Sequence, residues 1–389
     1  MRAAVMRSHE LVVDEMPDPV PGPGQVLVRT LACGICGSDL HALAHGERIA
    51  DARRRSRSGM AVDFSRDVVM GHEFCAEIID FGPETQRTLG RGARVCSVPI
   101  AFGPGGLAPI GYSPDYPGGY GERMVLNEML LVAVPEGLPS RTAALTEPFA
   151  VGLHAVQKAG PIGDAVPLVL GCGPIGLAVI AALRLADARP IIAADFSSRR
   201  RRLAEALGAD VVVDPAATSP YQRWEDVAGP AGVDPLAPAT LLGLGPQPRP
   251  GLIFECVGVP GVLQQILEGA PRRARVVVVG VCMEPDRIEP FFAIDKELSL
   301  QFVLGYEPGE FAATLEAISA GRIPAAEVVT GAVGIDDVPA AFAALAEPEG
   351  HAKIMVEPGR EGGIAAGSAG GAEAGPTGAA GSGQSDASA

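Results

Sequence analysis

Val166–Gly176 reads V-P-L-V-L-G-C-G-P-I-G. A short apolar run enters a glycine-punctuated turn, and a longer apolar stretch, Pro174–Ala186, follows. That order predicts a buried strand, a tight turn and a helix. Gly171, Gly173 and Gly176 form G-x-G-x-x-G in this setting. The first glycine suits the turn, the second lets backbone approach a pyrophosphate, and the third lets helix and strand pack closely. The helix N-terminus then presents unpaired N–H groups to the phosphates. A second strand is predicted at Pro190–Ala194, and Asp195 ends it. A carboxylate there accepts hydrogen bonds from the adenosine ribose and repels a 2′-phosphate, which favours NAD over NADP. Arg199 and Arg200 follow closely and soften that preference. The expected coenzyme-binding set is Gly171, Gly173, Pro174, Ile175, Gly176, Asp195 and Arg200. The apolar run continues to Leu183, long enough to imitate a membrane span. Its prolines and glycines fall where a strand turns into a helix, so no membrane segment is expected.

The alternation continues outward. A helix is predicted at Ser198–Leu207, strands at Val211–Val213, Leu252–Glu255 and Arg275–Gly280, and a helix around Gly261–Glu268. Alternating strands and helices predict an α/β, doubly wound parallel sheet over residues 151–294. Residues 1–150 instead hold short β-like runs such as Val26–Leu31, Phe74–Phe81, Arg94–Val98 and Met124–Asn127, separated by Gly and Pro clusters. That pattern predicts an irregular β-rich body. Residues 295–357 return to mixed structure, with helices near Gly309–Ala320 and Val338–Ala346 and a last strand at Lys353–Val356. The segment 358–389 is rich in Gly, Ala and Ser, with Ile364 its one large aliphatic residue, and is expected to be disordered.

The formal charge of −15 over 389 residues argues against a nucleic-acid partner. The basic clusters Arg53–Arg55 and Arg199–Arg202 are short and read as solvated faces. Seven scattered cysteines do not make a secreted disulfide framework, and no secretory signal is visible, so a cytoplasmic protein is expected.

Cys33–His41 reads C-G-I-C-G-S-D-L-H. Two cysteines three apart suit a redox pair, half of a structural zinc site, or one ligand of a reactive metal. No second close cysteine pair follows, which disfavours a zinc knuckle. Cys36, His72 and Glu73 of G-H-E, and Glu147 of T-E-P are candidate metal ligands, far apart in sequence as a cleft assembled by a scaffold would have them. Ser38 is placed to touch a reacting oxygen and His41 to carry a proton outward. Asp39 is better placed to orient a ligand than to react. Ser38–Asp39 also suits a helix N-cap. Cys33, Cys75, Cys172, Cys256 and Cys282 read as small core hydrophobes, and His154 as a satisfied core histidine. Phe102, Tyr112, Tyr120 and Tyr306 are pocket-lip candidates by position alone.

In the order G-I-C-G-S-D-L-H, G-H-E, E-P-x-x-V-G-L-H, G-x-G-x-x-G, F-E-C-V-G and D-K-E-L, the chain resembles the zinc-dependent medium-chain dehydrogenases/reductases over residues 1–357. The resemblance implies a GroES-like catalytic domain built from both chain ends, 1–150 and 295–357, around a Rossmann domain. It implies Cys36 and His72 as zinc ligands, joined by Glu73 or Glu147. It implies dimers or tetramers through the Rossmann domain, by strands near Arg275–Gly280 and Leu298–Val303. Many members carry four close cysteines for a structural zinc; here the region Cys96–Glu122 has only Cys96, so one catalytic zinc and no structural zinc are expected. The spacing from His41 to His72 is long and includes the arginine-rich segment Arg48–Arg66, a candidate for the substrate mouth.

The activity expected is oxidation of an alcohol, secondary or a polyol, by NAD, with zinc as Lewis acid and Ser38 and His41 relaying the proton. The alternatives are an aldehyde or ketone reductase, an aldehyde-disproportionating dehydrogenase, and a non-catalytic NAD-sensing protein.

Overall fold

The computed structural model describes every residue except 58–59, 61, 104–105, 231–236, 243, 348 and 367–389. Six parallel strands form one sheet in the order Val211–Val213, Ile192–Ala194, Val166–Leu170, Gly251–Glu255, Arg275–Val278, Ser299–Phe302. Val166–Leu170 and Gly251–Glu255 are buried at every position, which is why they are apolar runs rather than alternating strands. From Val166–Leu170 the chain winds outward one way to Val213, then returns to Gly251 on the other side. That reversal opens a crevice at the carboxyl ends of the two central strands.

The second, mostly antiparallel sheet is centred on Gln25–Gly34 and Glu73–Phe81. Lys353–Val356, from the far end of the chain, pairs antiparallel beside Gln25–Gly34, with Met355 opposite Gly34 and Val356 opposite Cys33. The sheet therefore uses both chain ends around the intervening parallel body. A hairpin of Arg2–Arg7 and Glu10–Glu15 lies beside it, with Ala3–Met6 buried.

Three expectations shift. The parallel sheet includes Ser299–Phe302, within the strand expected near Leu298–Val303, so this body passes the expected boundary at 294. The tail does not lose order at 358: Ala365–Ala366 pairs with the edge strand Val329–Val333. Those bonds are made by backbone, so a composition too poor to form a core still satisfies them. The rest of the expected tail, 367–389, lies outside the described residues. Cys282 is exposed rather than a core residue. No helix among the described residues is long and apolar enough to cross a membrane.

One continuous apolar cluster runs from Ala32, Cys75 and Cys96 of the antiparallel sheet to Val169, Leu177 and Phe254 of the parallel body. Helices Thr146–Lys158 and Pro174–Leu185 pack closely within it. Gly152 sits where a Cβ would overlap the backbone of Ala178 and Val179. Backbone cannot rotate aside as a side-chain tip can. Gly152→Val is therefore expected to lower unfolding stability by about 3 kcal/mol, read as a lower urea midpoint; an unchanged midpoint would mean that this helix contact does not hold the two bodies together.

Candidate active site

Cys36 is the N-cap of a helix, Gly37–Ser56, so the cap falls two residues before the expected Ser38–Asp39. Asp39 at the third helical position accepts a hydrogen bond from the Cys36 N–H at 3.0 Å, which holds the turn carrying the thiol. His72 and Glu73 arrive where the strand Glu73–Phe81 begins beside Gly34. Donor atoms of Cys36, His72 and Glu73 lie within 4.8 Å of one another, with Glu73 fully buried. A thiol from one chain segment and an imidazole and a carboxylate from another make a donor set suited to zinc, with a position left open for substrate. Glu147 is not part of that compact group.

Two of the three donors, Glu73 and His72, are backed by buried charged groups. Lys353 Nζ donates to both Glu73 oxygens at 2.7 Å and to the Ile35 carbonyl at 3.0 Å. Burial opposes the charge on Lys353, but Glu73 holds its pKa above the ordinary lysine value. Gly34 is required opposite, because a Cβ there would occupy the space of the Glu73 carboxylate. Asp39 has no exposed surface and accepts from Tyr120 Oη at 2.6 Å and Tyr112 Oη at 2.8 Å. Burial works against its ionisation, yet His72 and these hydrogen bonds keep its carboxyl below the usual range. Its Oδ1 lies 3.3 Å from His72 Nδ1, off the line of a good hydrogen bond. This leaves Nε2 as the nitrogen free for a metal, with the carboxylate behind the ring. Tyr306 Oη donates to Glu147 at 3.0 Å. Burial pushes the Glu147 carboxyl up to about 7; Glu73 adds to the rise and His72 opposes it.

The hydroxyl of Ser38 pairs with Tyr112 Oη at 2.8 Å, and no hydrogen bond joins it to His41. His41 is one helical turn further along, and burial, then His45, lowers its pKa. Tyr112 also lies against His72, with ring centroids 5.2 Å apart. Burial, then Asp39, pushes its phenol well above the ordinary value, so it stays protonated. Phe64 packs edge-on against Tyr112, which places part of the segment between His41 and His72 at the site. Phe102 lies away from this group, on the strand Ile100–Gly103. His154 is buried against Glu310 at 2.8 Å.

The residues expected to bind coenzyme lie at the glycine turn after Val166–Leu170 and at the end of Ile192–Ala194. Gly173 is the N-cap and Pro174 the first residue of helix Pro174–Leu185, and a Cβ on Gly176 would overlap the Gly171 carbonyl. The Asp195 carboxylate accepts from the Cys172 and Ser197 N–H groups, each at 2.8 Å, tying the glycine turn to the next helix. The Arg200 N–H donates to Ser197 Oγ at 3.1 Å in the first turn of that helix. Glu349 takes the Ser198 N–H at 2.9 Å. Tyr306 follows the edge strand Ser299–Phe302, so its bond to Glu147 places the donor group at the carboxyl end of the parallel sheet.

Sequence reasoning missed Lys353. The signal was a lysine opening an apolar strand, K-I-M-V, since lysine is almost never fully buried without a partner.

Residues 22–136 match the family described as alcohol dehydrogenase GroES-like domain, and residues 174–320 the zinc-binding dehydrogenase family. The chain is 32% identical over 374 residues to (R,R)-butanediol dehydrogenase of Bacillus subtilis (strain 168), covering 92% of this chain and 100% of that one. It is 29% identical over 310 residues to sorbitol dehydrogenase of Bos taurus, covering 76% and 79%. A crystal structure of 2R,3R-butanediol dehydrogenase from Bacillus subtilis superposes with a TM-score of 0.75 at 30% identity, covering 92% and 99%. A putative zinc-binding dehydrogenase from Sinorhizobium meliloti 1021, bound to NADP, superposes with a TM-score of 0.73 at 27% identity, with the same coverage.

A carboxyl whose pKa rises on folding holds more protons folded than unfolded, so stability falls as pH rises through that window. In metal-stripped protein Glu147 is expected to lower stability by on the order of 2–3 kcal/mol between about pH 4.5 and 7. Urea titrations across this range should flatten by that amount in Glu147→Gln; an identical slope in both proteins would contradict the assignment.

Proposed function

The chain belongs to the zinc-type medium-chain dehydrogenase/reductase family, and from that premise we propose that it oxidises a secondary alcohol or polyol with NAD, using one zinc held by Cys36, His72 and Glu73. The observation that carries this reading is the convergence of those three donors within 4.8 Å, reached through Glu147 and Tyr306 from the coenzyme crevice. When bound, zinc supplies Lewis acidity to the alcohol oxygen, and the nicotinamide takes up hydride. The chain's own residues position and polarise. Lys353 holds Glu73 on both oxygens and offsets its charge, while free lone pairs remain for a metal. Asp39 backs His72. Ser38 accepts the hydrogen bond of the substrate hydroxyl, and His41, one turn along the same helix and not bonded to Ser38, takes the released proton outward through water. Glu147 stands behind the compact group with a pKa near neutral, suited to a water or substrate hydroxyl rather than to permanent ligation.

Two features support NAD over NADP. Asp195 closes the strand with a carboxylate, and the neighbouring helix N-terminus is already capped by Glu349 at Ser198. A 2′-phosphate would meet both. Arg200 contributes a positive charge at this end and makes the preference one of degree. The substrate class rests on the relatives named for butanediol and sorbitol.

We also propose a homodimer through the edge of the parallel sheet. Ser299–Phe302 leaves one side unpaired, and Phe291, Ile294, Phe302 and Leu304 are each more than 60% exposed around it. An exposed edge beside an apolar patch favours pairing with a second copy.

Zinc-loaded protein should reduce NAD with a panel of secondary alcohols and vicinal diols. Cys36→Ser should lose zinc and at least 10³-fold in turnover, with NAD affinity within a few-fold of the parent; retained turnover would end the metal-centred reading. Light scattering should give twice the chain mass, and Phe302→Lys with Leu304→Lys the single mass; a dimer that survives both changes uses another face.

A further inference from the structure

We propose that Tyr112 is a positioning residue that sets the polarity of the Ser38 hydroxyl, turning its oxygen lone pairs toward the substrate alcohol. This rests on the alcohol-oxidising reading above and extends it to a residue that no motif assigned.

Tyr112 Oη lies 2.8 Å from Ser38 Oγ and 2.8 Å from Asp39 Oδ1. A phenol has one hydrogen to give. Asp39 is fully buried and already acts as an acceptor, collecting the hydroxyl of Tyr120 and the N–H of Cys36. A carboxylate is the stronger acceptor, so the Tyr112 hydrogen goes to Asp39. Tyr112 Oη is then left as an acceptor, and the only hydrogen available to it from its other neighbour is that of Ser38. The chain of donation runs Ser38 to Tyr112 to Asp39, from a half-buried serine to a sealed carboxylate. With its hydrogen committed inward, Ser38 meets an incoming hydroxyl as an acceptor. An alcohol must present its O–H hydrogen to such a group before losing it. The ring of Tyr112 is held for this role on two sides, by His72 at 5.2 Å and Phe64 at 6.1 Å between centroids. Tyr112 comes from Cys96–Glu122, the region that carries four close cysteines in many similar chains; here that lobe delivers two tyrosines, 112 and 120, to Asp39.

The inference is tested with zinc-loaded protein and NAD in a double-mutant cycle of Tyr112→Phe and Ser38→Ala. Phenylalanine keeps the ring packing and removes only the link. Tyr112→Phe is expected to lower kcat/KM for the best alcohol about tenfold, mainly in kcat, with zinc content unchanged. In the Ser38→Ala background it should add less than twofold. Calorimetric binding of trifluoroethanol, an alcohol resistant to oxidation, to the NAD complex should weaken about fivefold in Tyr112→Phe and not change further in the double variant. A full Tyr112→Phe effect without Ser38, a loss of zinc, or parent-like binding and turnover would each overturn the inference. If no alcohol is oxidised yet the trifluoroethanol cycle behaves as stated, the functional reading fails while the role of Tyr112 stands; absence of both overturns both.

Discussion

The buried pair of Lys353 and Glu73 joins positions 280 residues apart and is the constraint on which the site depends. It forms only when Lys353–Val356 lies in register beside Gln25–Gly34, with Gly34 facing both Met355 and Glu73. A shift of one residue would send the lysine to the other face of the sheet. Buried ion pairs add little net stability, because desolvation offsets most of the attraction. Their effect is on specificity: Glu73 left unpaired would be an uncompensated buried charge, so the register that supplies Lys353 is strongly preferred. The same carboxylate then faces Cys36 and His72. Closing the fold and assembling the donor set are one event.

The charge balance around this pair explains why a cation belongs there. Asp39, Glu73 and Glu147 bring three carboxyl groups into a volume with almost no solvent, and Cys36 adds a thiol. Lys353 answers one of them. Tyr112 and Tyr120 stabilise Asp39 by hydrogen bonds but add no charge. The remaining negative potential, concentrated on sulfur, nitrogen and oxygen donors, is what a divalent metal neutralises.

The sequence made some of this legible and hid the rest for a physical reason. G-C-G-P-I-G and G-I-C-G-S-D carry their meaning within a single turn, since the glycines, the capping carboxylate and the thiol act on their immediate neighbours. Strands buried on both faces announce themselves as apolar runs. The pairing of Ala365–Ala366 does not, because backbone bonds leave no imprint on side-chain pattern. The links from Lys353 to Glu73, Tyr306 to Glu147 and Tyr112 to Ser38 and Asp39 each span 70 residues or more. No spacing rule encodes them; they follow from register and from how the two bodies meet.

The two glutamates show how that meeting matters. Glu73 is held by a cation on the sheet that also carries the cysteine turn, so its position is internal to one body. Glu147 is held by a neutral phenol delivered from the end of the parallel sheet, and burial raises its pKa toward 7. The two carboxyls thus differ in the charge of their partners, a cation for Glu73 and a neutral phenol for Glu147. Glu73 is held on both oxygens by Lys353, as a fixed donor must be. Glu147 stands near the point of exchange, and its hold depends on a residue of the coenzyme-binding body. Glu147 is thus tied through Tyr306 to the end of the parallel sheet, whereas Glu73 is tied through Lys353 within the antiparallel sheet.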